Sequence, residues 1–217
     1  MKIQVLASCA FLSLSILVMV AAGSQPAVEV AKQFTPPGSA VAHFVTYSST
    51  TGQIIEEQPA VLRAHLVSGD SDDIVAAYSS RPDGSIGPDI VVRIFHNNGS
   101  SYVQIGEFTY KERRLWVQDF RTFGLNILKL THDGQYALVV TTEVGASAGG
   151  HLEVMRWEPK AGFVSCFKDS PPPAFDFNFH ETVDTSEITL SFNKYPGQLN
   201  VRLPLTYIWR DGVFVPK

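Results

Sequence analysis

Tyr136-Ala137-Leu138-Val139-Val140-Thr141, followed by His151-Leu152-Glu153-Val154-Met155-Arg156-Trp157 and then by Phe163-Val164-Ser165-Cys166-Phe167, is the stretch whose pattern decides the fold. Each run is short, rich in β-branched and aromatic residues, and separated from the next by Gly, Asp, Asn or Pro, as strands and turns are. The same order recurs on either side. Upstream, Asp73-Ile74-Val75-Ala76-Ala77-Tyr78 precedes Asp89-Ile90-Val91-Val92-Arg93-Ile94-Phe95 and Tyr102-Val103-Gln104-Ile105. Downstream, Glu187 to Phe192 precedes Leu203 to Trp209 and Val213-Phe214-Val215. A further run opens each copy, at Val61 to Val67, Asn126 to Leu130 and Phe175 to His180. The second strand leads the third by 16, 15 and 16 residues (73 to 89, 136 to 151, 187 to 203), a regularity that marks an internal repeat.

These copies predict an all-β fold of repeated four-stranded antiparallel meanders over 61–108, 125–167 and 175–217. Such units resemble propeller blades, because one meander alone cannot bury both faces; a β-sandwich is the alternative. The last hairpin matches best between copies, running from Phe95 through Gly99 to Tyr102, Trp157 through Gly162 to Phe163, and Trp209 through Gly212 to Phe214. Gly supplies the positive φ of the turn, and aromatics facing one another across the hairpin stabilise it. Three blades are too few for an ordinary closed ring. The expectation is an open stack, a ring completed by an N-terminal hairpin around Tyr47, Gly52 and Ile54, or closure by homo-oligomerisation.

Outward from the repeats, Lys2 and the apolar run Ala10 to Ala22, ending in small residues, read as a signal peptide over 1–23. The protein is therefore expected to be secreted or periplasmic, with no membrane span once the signal is cleaved. Residues 24–40, with Pro26, Pro36, Pro37 and Gly38, read as an extended leader to a single domain over 41–217. Lys111 to Arg114, with Trp116, Phe120 and Phe123, suits either a short amphipathic helix or a strand, and Pro171-Pro172-Pro173 reads as a stiff linker. Without the signal, 16 basic groups face 21 acidic ones, a net charge near −5. Nucleic acid is excluded as the main partner, because phosphate binding needs a concentrated basic face. Cys9 leaves with the signal, so Cys166 has no intramolecular partner and reads as a buried structural thiol.

The middle copy also carries Phe123-Gly124, Asp133-Gly134, the apolar strand Ala137 to Val140, Val144-Gly145-Ala146 and Gly150-His151-Leu152-Glu153-Val154. In these residues, over 123–167, the chain resembles the FG-GAP repeats of integrin-like β-propellers. The resemblance implies protein or carbohydrate binding rather than catalysis. It also implies that the turn before the apolar strand offers oxygen ligands to calcium, which makes Asp70, Asp72 and Asp73 the metal candidates. No other cofactor is expected.

The leading functional expectation is an exported, non-catalytic binding module. Its recognition face is expected on the loops between second and third strands (79–88, 143–150 and 193–202), which carry Arg81, Asp83, Glu143, Ser147 and Tyr195. The alternative is an exported serine hydrolase. Gly145-Ala146-Ser147-Ala148-Gly149 matches the G-x-S-x-G nucleophile elbow, with Asp176 and His180 following in hydrolase order. The six histidines show no pair at metal-ligand spacing, which leaves zinc without support. Asn98-Gly99-Ser100 matches both a glycosylation acceptor and a hairpin turn.

Overall fold

A computed structural model of the chain describes residues 25–47, 54–81, 84, 89–111, 122–130, 135–143, 150–167, 176–181, 186–193 and 202–217. The expected signal over 1–23, the residues between Lys111 and Thr122 and the prolines expected to form a linker lie outside them. The described chain begins with helix α1 (Ala27–Gln33), strand β1 (Ala40–Val41) and the hairpin β2 (His43–Tyr47) and β3 (Ile54–Pro59). Three antiparallel sheets follow. The first contains β4 (Val61–Ala64), β5 (Asp73–Ser79), β6 (Asp89–Asn97) and β7 (Tyr102–Lys111), with β1 and β4 end to end along one edge of β5. The second contains β8 (Thr122–Lys129), β9 (Tyr136–Glu143), β10 (Gly150–Glu158) and β11 (Gly162–Ser165). The third contains β12 (Asp176–Glu181), β13 (Ser186–Asn193), β14 (Arg202–Arg210) and β15 (Val213–Pro216). In the second and third sheets, strands neighbour one another in chain order. The expected all-β fold of four-strand meanders is thus what the chain forms.

Two-sided burial explains why β5 and β9 are continuous apolar runs. Successive strand residues point to opposite faces. From β5, Val75 and Ala77 join Leu125, Leu138, Val140 and Met155 of the second sheet in one core. From β9, Ala137 and Val139 turn the other way and join Ile188, Tyr207 and Phe214 of the third sheet in another. The second sheet therefore lies between the other two, and β4 packs beside β8 while β7 packs beside β11. The chain between the last two sheets is stitched directly: the Cys166 amide donates to the Val154 carbonyl, and the Phe214 amide donates to the Cys166 carbonyl. Cys166 is fully buried, and burial pushes its thiol up to about 12, as suits a structural cysteine.

The glycines of the last hairpins take the positive φ their turns require: Gly99 (92°), Gly162 (77°) and Gly212 (82°). Trp157 and Phe163 are cross-strand partners with ring centroids 5.2 Å apart, and so are Trp209 and Phe214. The first copy departs from this pattern. Its hairpin closes at Asn97 opposite Tyr102, so Phe95 lies opposite Gln104, and the Phe95 ring stacks on Phe34 at 4.5 Å.

That contact belongs to a second departure, because the leader expected to be extended over 24–40 contains α1. A seven-residue helix is not stable alone in water, so packing must hold it. Val30 and Ala31 are fully buried, and Ala27 and Phe34 pack beside them. This group covers the face of the first sheet formed by Ile74, Ala76 and Tyr78, which points away from the second sheet. The Tyr78 hydroxyl donates to the Ala31 carbonyl at 2.7 Å, and Arg93 donates to the Phe34 carbonyl at 2.6 Å. Burial raises the Tyr78 hydroxyl well above its ordinary pKa, against the weaker opposing pull of the Arg93 charge. Among the described residues, no helix is long and apolar enough to cross a membrane.

Tyr78→Phe leaves the Ala31 carbonyl without its buried donor. It is expected to cost about 1–2 kcal/mol in urea unfolding and to expose the bonds around residues 24–36 to limited proteolysis before the sheets are cut.

Candidate binding cleft

The turn that enters β5 is built around one buried carboxylate. Asp73 is fully buried and accepts from the backbone amides of Leu66 (2.6 Å) and Val67 (3.0 Å), from the Ser71 hydroxyl, and from His96 Nδ1 (2.7 Å). A buried carboxylate persists only with such a set of donors. Asp72, one residue earlier, accepts from the Tyr102 hydroxyl, from Asn97 Nδ2 at 3.2 Å and from Arg63. Burial opposes ionisation of Asp72, but the hydrogen bonds of Tyr102 and Asn97 and the Arg63 charge outweigh it and hold the carboxyl below its ordinary pKa. Asp70 accepts from the Ser68 hydroxyl at 2.7 Å, which lowers its pKa as well.

The calcium expectation falls on these same three aspartates. The three aspartates turn to separate sets of protein donors, and among the described residues no cluster of three or more His, Cys, Asp or Glu side chains is placed to hold a metal ion. Asp72 and Asp73 brace the turn, tying β4, β5 and the β6–β7 hairpin together.

The hydrolase reading meets one obstacle. Ser147 lies outside the described residues, yet its flanks Glu143 and Gly150 pair across the antiparallel strands β9 and β10. A nucleophile elbow instead leads from a strand into a helix. Asp176 and His180 both lie on β12, four residues apart, and the pairing of that strand with β13 is unbroken from Asp176 to Glu181; their side chains lie outside the described residues.

Of the five recognition-loop residues, Asp83, Ser147 and Tyr195 fall outside the described residues, as does the side chain of Glu143. Arg81 is half-buried in a turn closed by the Gly84 amide on its carbonyl. Gly84 is buried with φ 76°, and a Cβ there would lie 2.6 Å from the Val41 carbonyl oxygen. Its own carbonyl accepts from the His43 amide at 3.1 Å. Gly84 is thus seated on the chain joining β1 and β2, which anchors this part of the first loop.

The described cleft lies at the opposite end of the strands. His65 to Gly69 from the first sheet face Gln135, Tyr136 and Trp157 from the second, around a volume of about 330 Å³. Three constraints set this geometry. Asp73 holds the Leu66 and Val67 backbone, Leu66 is buried in the core between the two sheets, and Trp157 is fixed by Phe163, whose ring meets Phe108 of β7 edge-on at 6.1 Å. His65 is exposed at the rim, and its Nδ1 bonds the Ser71 carbonyl. A carbonyl only accepts, so Nδ1 carries a proton, and in the neutral form of the ring Nε2 is the acceptor.

The sequence reading singled out none of these lining residues as a site. They come from the turn at 65–69, from Gln135 and Tyr136 where β9 begins and from Trp157 near the end of β10, and no local motif joins them. The one signal available was repeat position, since Gln135 and the turn at 65–69 precede the second strands of adjacent copies. No family model, no curated protein and no solved structure matches the chain.

Asp73→Ala strips two buried amides and a hydroxyl of their acceptor. It is expected to destabilise the protein by about 3 kcal/mol and to broaden or shift the amide resonances of Leu66 and Val67 in variant that remains folded.

Proposed function

We propose that the chain is an exported, non-catalytic binding module made of FG-GAP-like propeller blades in an open stack, and that its ligand enters the cleft between the first and second sheets. The observation that carries this reading is the cleft itself, a recess framed by corresponding turns of two adjacent repeats. In repeat folds, variable residues on such turns are the usual recognition surface, while the strands beneath keep their places. The blade reading draws support from consecutive strand order within the second and third sheets and from the packing of first strand by first strand and fourth by fourth. Helix α1 covers the face where a further blade would stack, which favours an open array over a ring. Export rests on the N-terminal signal pattern.

The anchoring of Gly84 moves the preferred site away from the first of the loops joining second and third strands. The partner is a protein or a carbohydrate of the extracellular or envelope space. Gly69 provides the test, because it lines the cleft and a Cβ there meets no atom within 4 Å. Gly69→Trp is expected to fill the recess without unfolding the protein, abolishing stoichiometric capture of the native partner by mature protein beginning at Ser24. Capture that survives Gly69→Trp but is lost when residues 143–150 are replaced by a short turn would place recognition at the other end and overturn this reading.

A further inference from the structure

We infer that the ligand class of this cleft is a neutral saccharide, an inference that rests on the binding-module reading and narrows it. The described lining contains no Asp, Glu, Lys or Arg, so a charged ligand finds no counter-charge among the described residues of its walls. A wholly apolar ligand is disfavoured for the converse reason: it would strip water from His65, Ser68 and Gln135 without replacing their hydrogen bonds. What remains is a compact neutral molecule that carries hydroxyls along its edges and a C–H face to lay against aromatic rings.

The chemistry of the walls matches that description group by group. With Nδ1 committed to the Ser71 carbonyl, His65 Nε2 accepts in the neutral ring and donates in the imidazolium. The Trp157 indole N–H only donates, and the Gln135 amide does both. A sugar hydroxyl donates and accepts together, and so satisfies such a mixed set where a carbonyl-only or ammonium-only ligand does not. Tyr136 and Trp157, both half-buried, add ring surface on the second-sheet side. The recess, at about 330 Å³, lies at the small end of ligand sites, which suits a short saccharide and excludes a folded protein epitope. Because the ring of Trp157 is held by Phe163 at 5.2 Å, this wall is in place before ligand arrives, and little ordering cost attaches to binding.

The test is an NMR titration of the full mature chain, following the indole N–H signals of its three tryptophans, with Trp157 assigned through Trp157→Phe. The probes are cellobiose, lactose and chitobiose, with a uronic-acid disaccharide as charged control and an unstructured neutral peptide as the competing class. The expected result is a saturable shift of the Trp157 indole with at least one neutral disaccharide and none with the uronic acid. Gln135→Ala should weaken that binding about threefold to tenfold, as the loss of one hydrogen bond does, and Gly69→Trp should abolish it. Failure of all three neutral sugars to shift Trp157, or a shift that Gly69→Trp leaves unchanged, overturns the inference. A shift produced by the peptide alone reassigns the cleft to protein recognition. If the sugars fail while Gly69→Trp still abolishes capture of the native partner, the saccharide inference falls and the binding module stands.

Discussion

The burial of β9 on both of its faces is the constraint on which the rest of this structure depends. Leu138 and Val140 complete the core shared with the first sheet, and Ala137 and Val139 complete the core shared with the third. A strand with one wet face alternates apolar and polar residues, whereas a strand covered on both faces must be apolar throughout. Each fully buried aliphatic side chain contributes about 1.5–3 kcal/mol, so neither outer sheet can leave without exposing a large part of the core. Small residues make this approach feasible: Ala77 and Ala137 sit where the faces of neighbouring sheets meet. The outermost face of the first sheet has no such neighbour, and α1 with Phe34 covers it instead.

The cleft follows from the stacking. Two sheets that pack strand upon corresponding strand bring their corresponding turns side by side. Where the turns differ in length, a recess opens between them. In this chain the turn before β5 is longer and is held by Asp73, whose four donors come from its own turn and from His96 of the neighbouring strand. These contacts set the backbone of Leu66 and Val67, which forms one wall of the recess.

Much of the fold was legible in the sequence. The second strands show as unbroken apolar runs, and the hairpin glycines fall at 99, 162 and 212, where positive φ is needed. Even α1 left a trace, since Ala27, Val30, Ala31 and Phe34 follow the 3.6-residue period of an amphipathic helix. Two short turns between prolines gave too brief a window for that period to be read, and the surface that stabilises the helix lies some 45 residues further on. The first hairpin was misjudged for a similar reason. Phe95 looked like the cross-strand partner of Tyr102, but the hairpin closes at Asn97, which faces Tyr102, and the arrival of Phe34 gives Phe95 another neighbour. The site was far less legible. Aspartates in a turn look alike whether they bind a cation or accept from amides, and only the positions of Arg63, His96, Asn97 and Tyr102 separate the cases. The cleft walls come from different sheets, so their meeting is a property of how the sheets pack and of no single segment.

Residue-resolved native-state hydrogen exchange tests the stack most directly. If the second sheet is the shared layer, the amides of β9 exchange only through global unfolding, together with those of β5, while β7, β15 and α1 open at lower free energy. Exchange of β9 as fast as the edge strands β7 and β15, or three separate protection levels with one for each sheet, would contradict the account, because each sheet would then be standing on a core of its own.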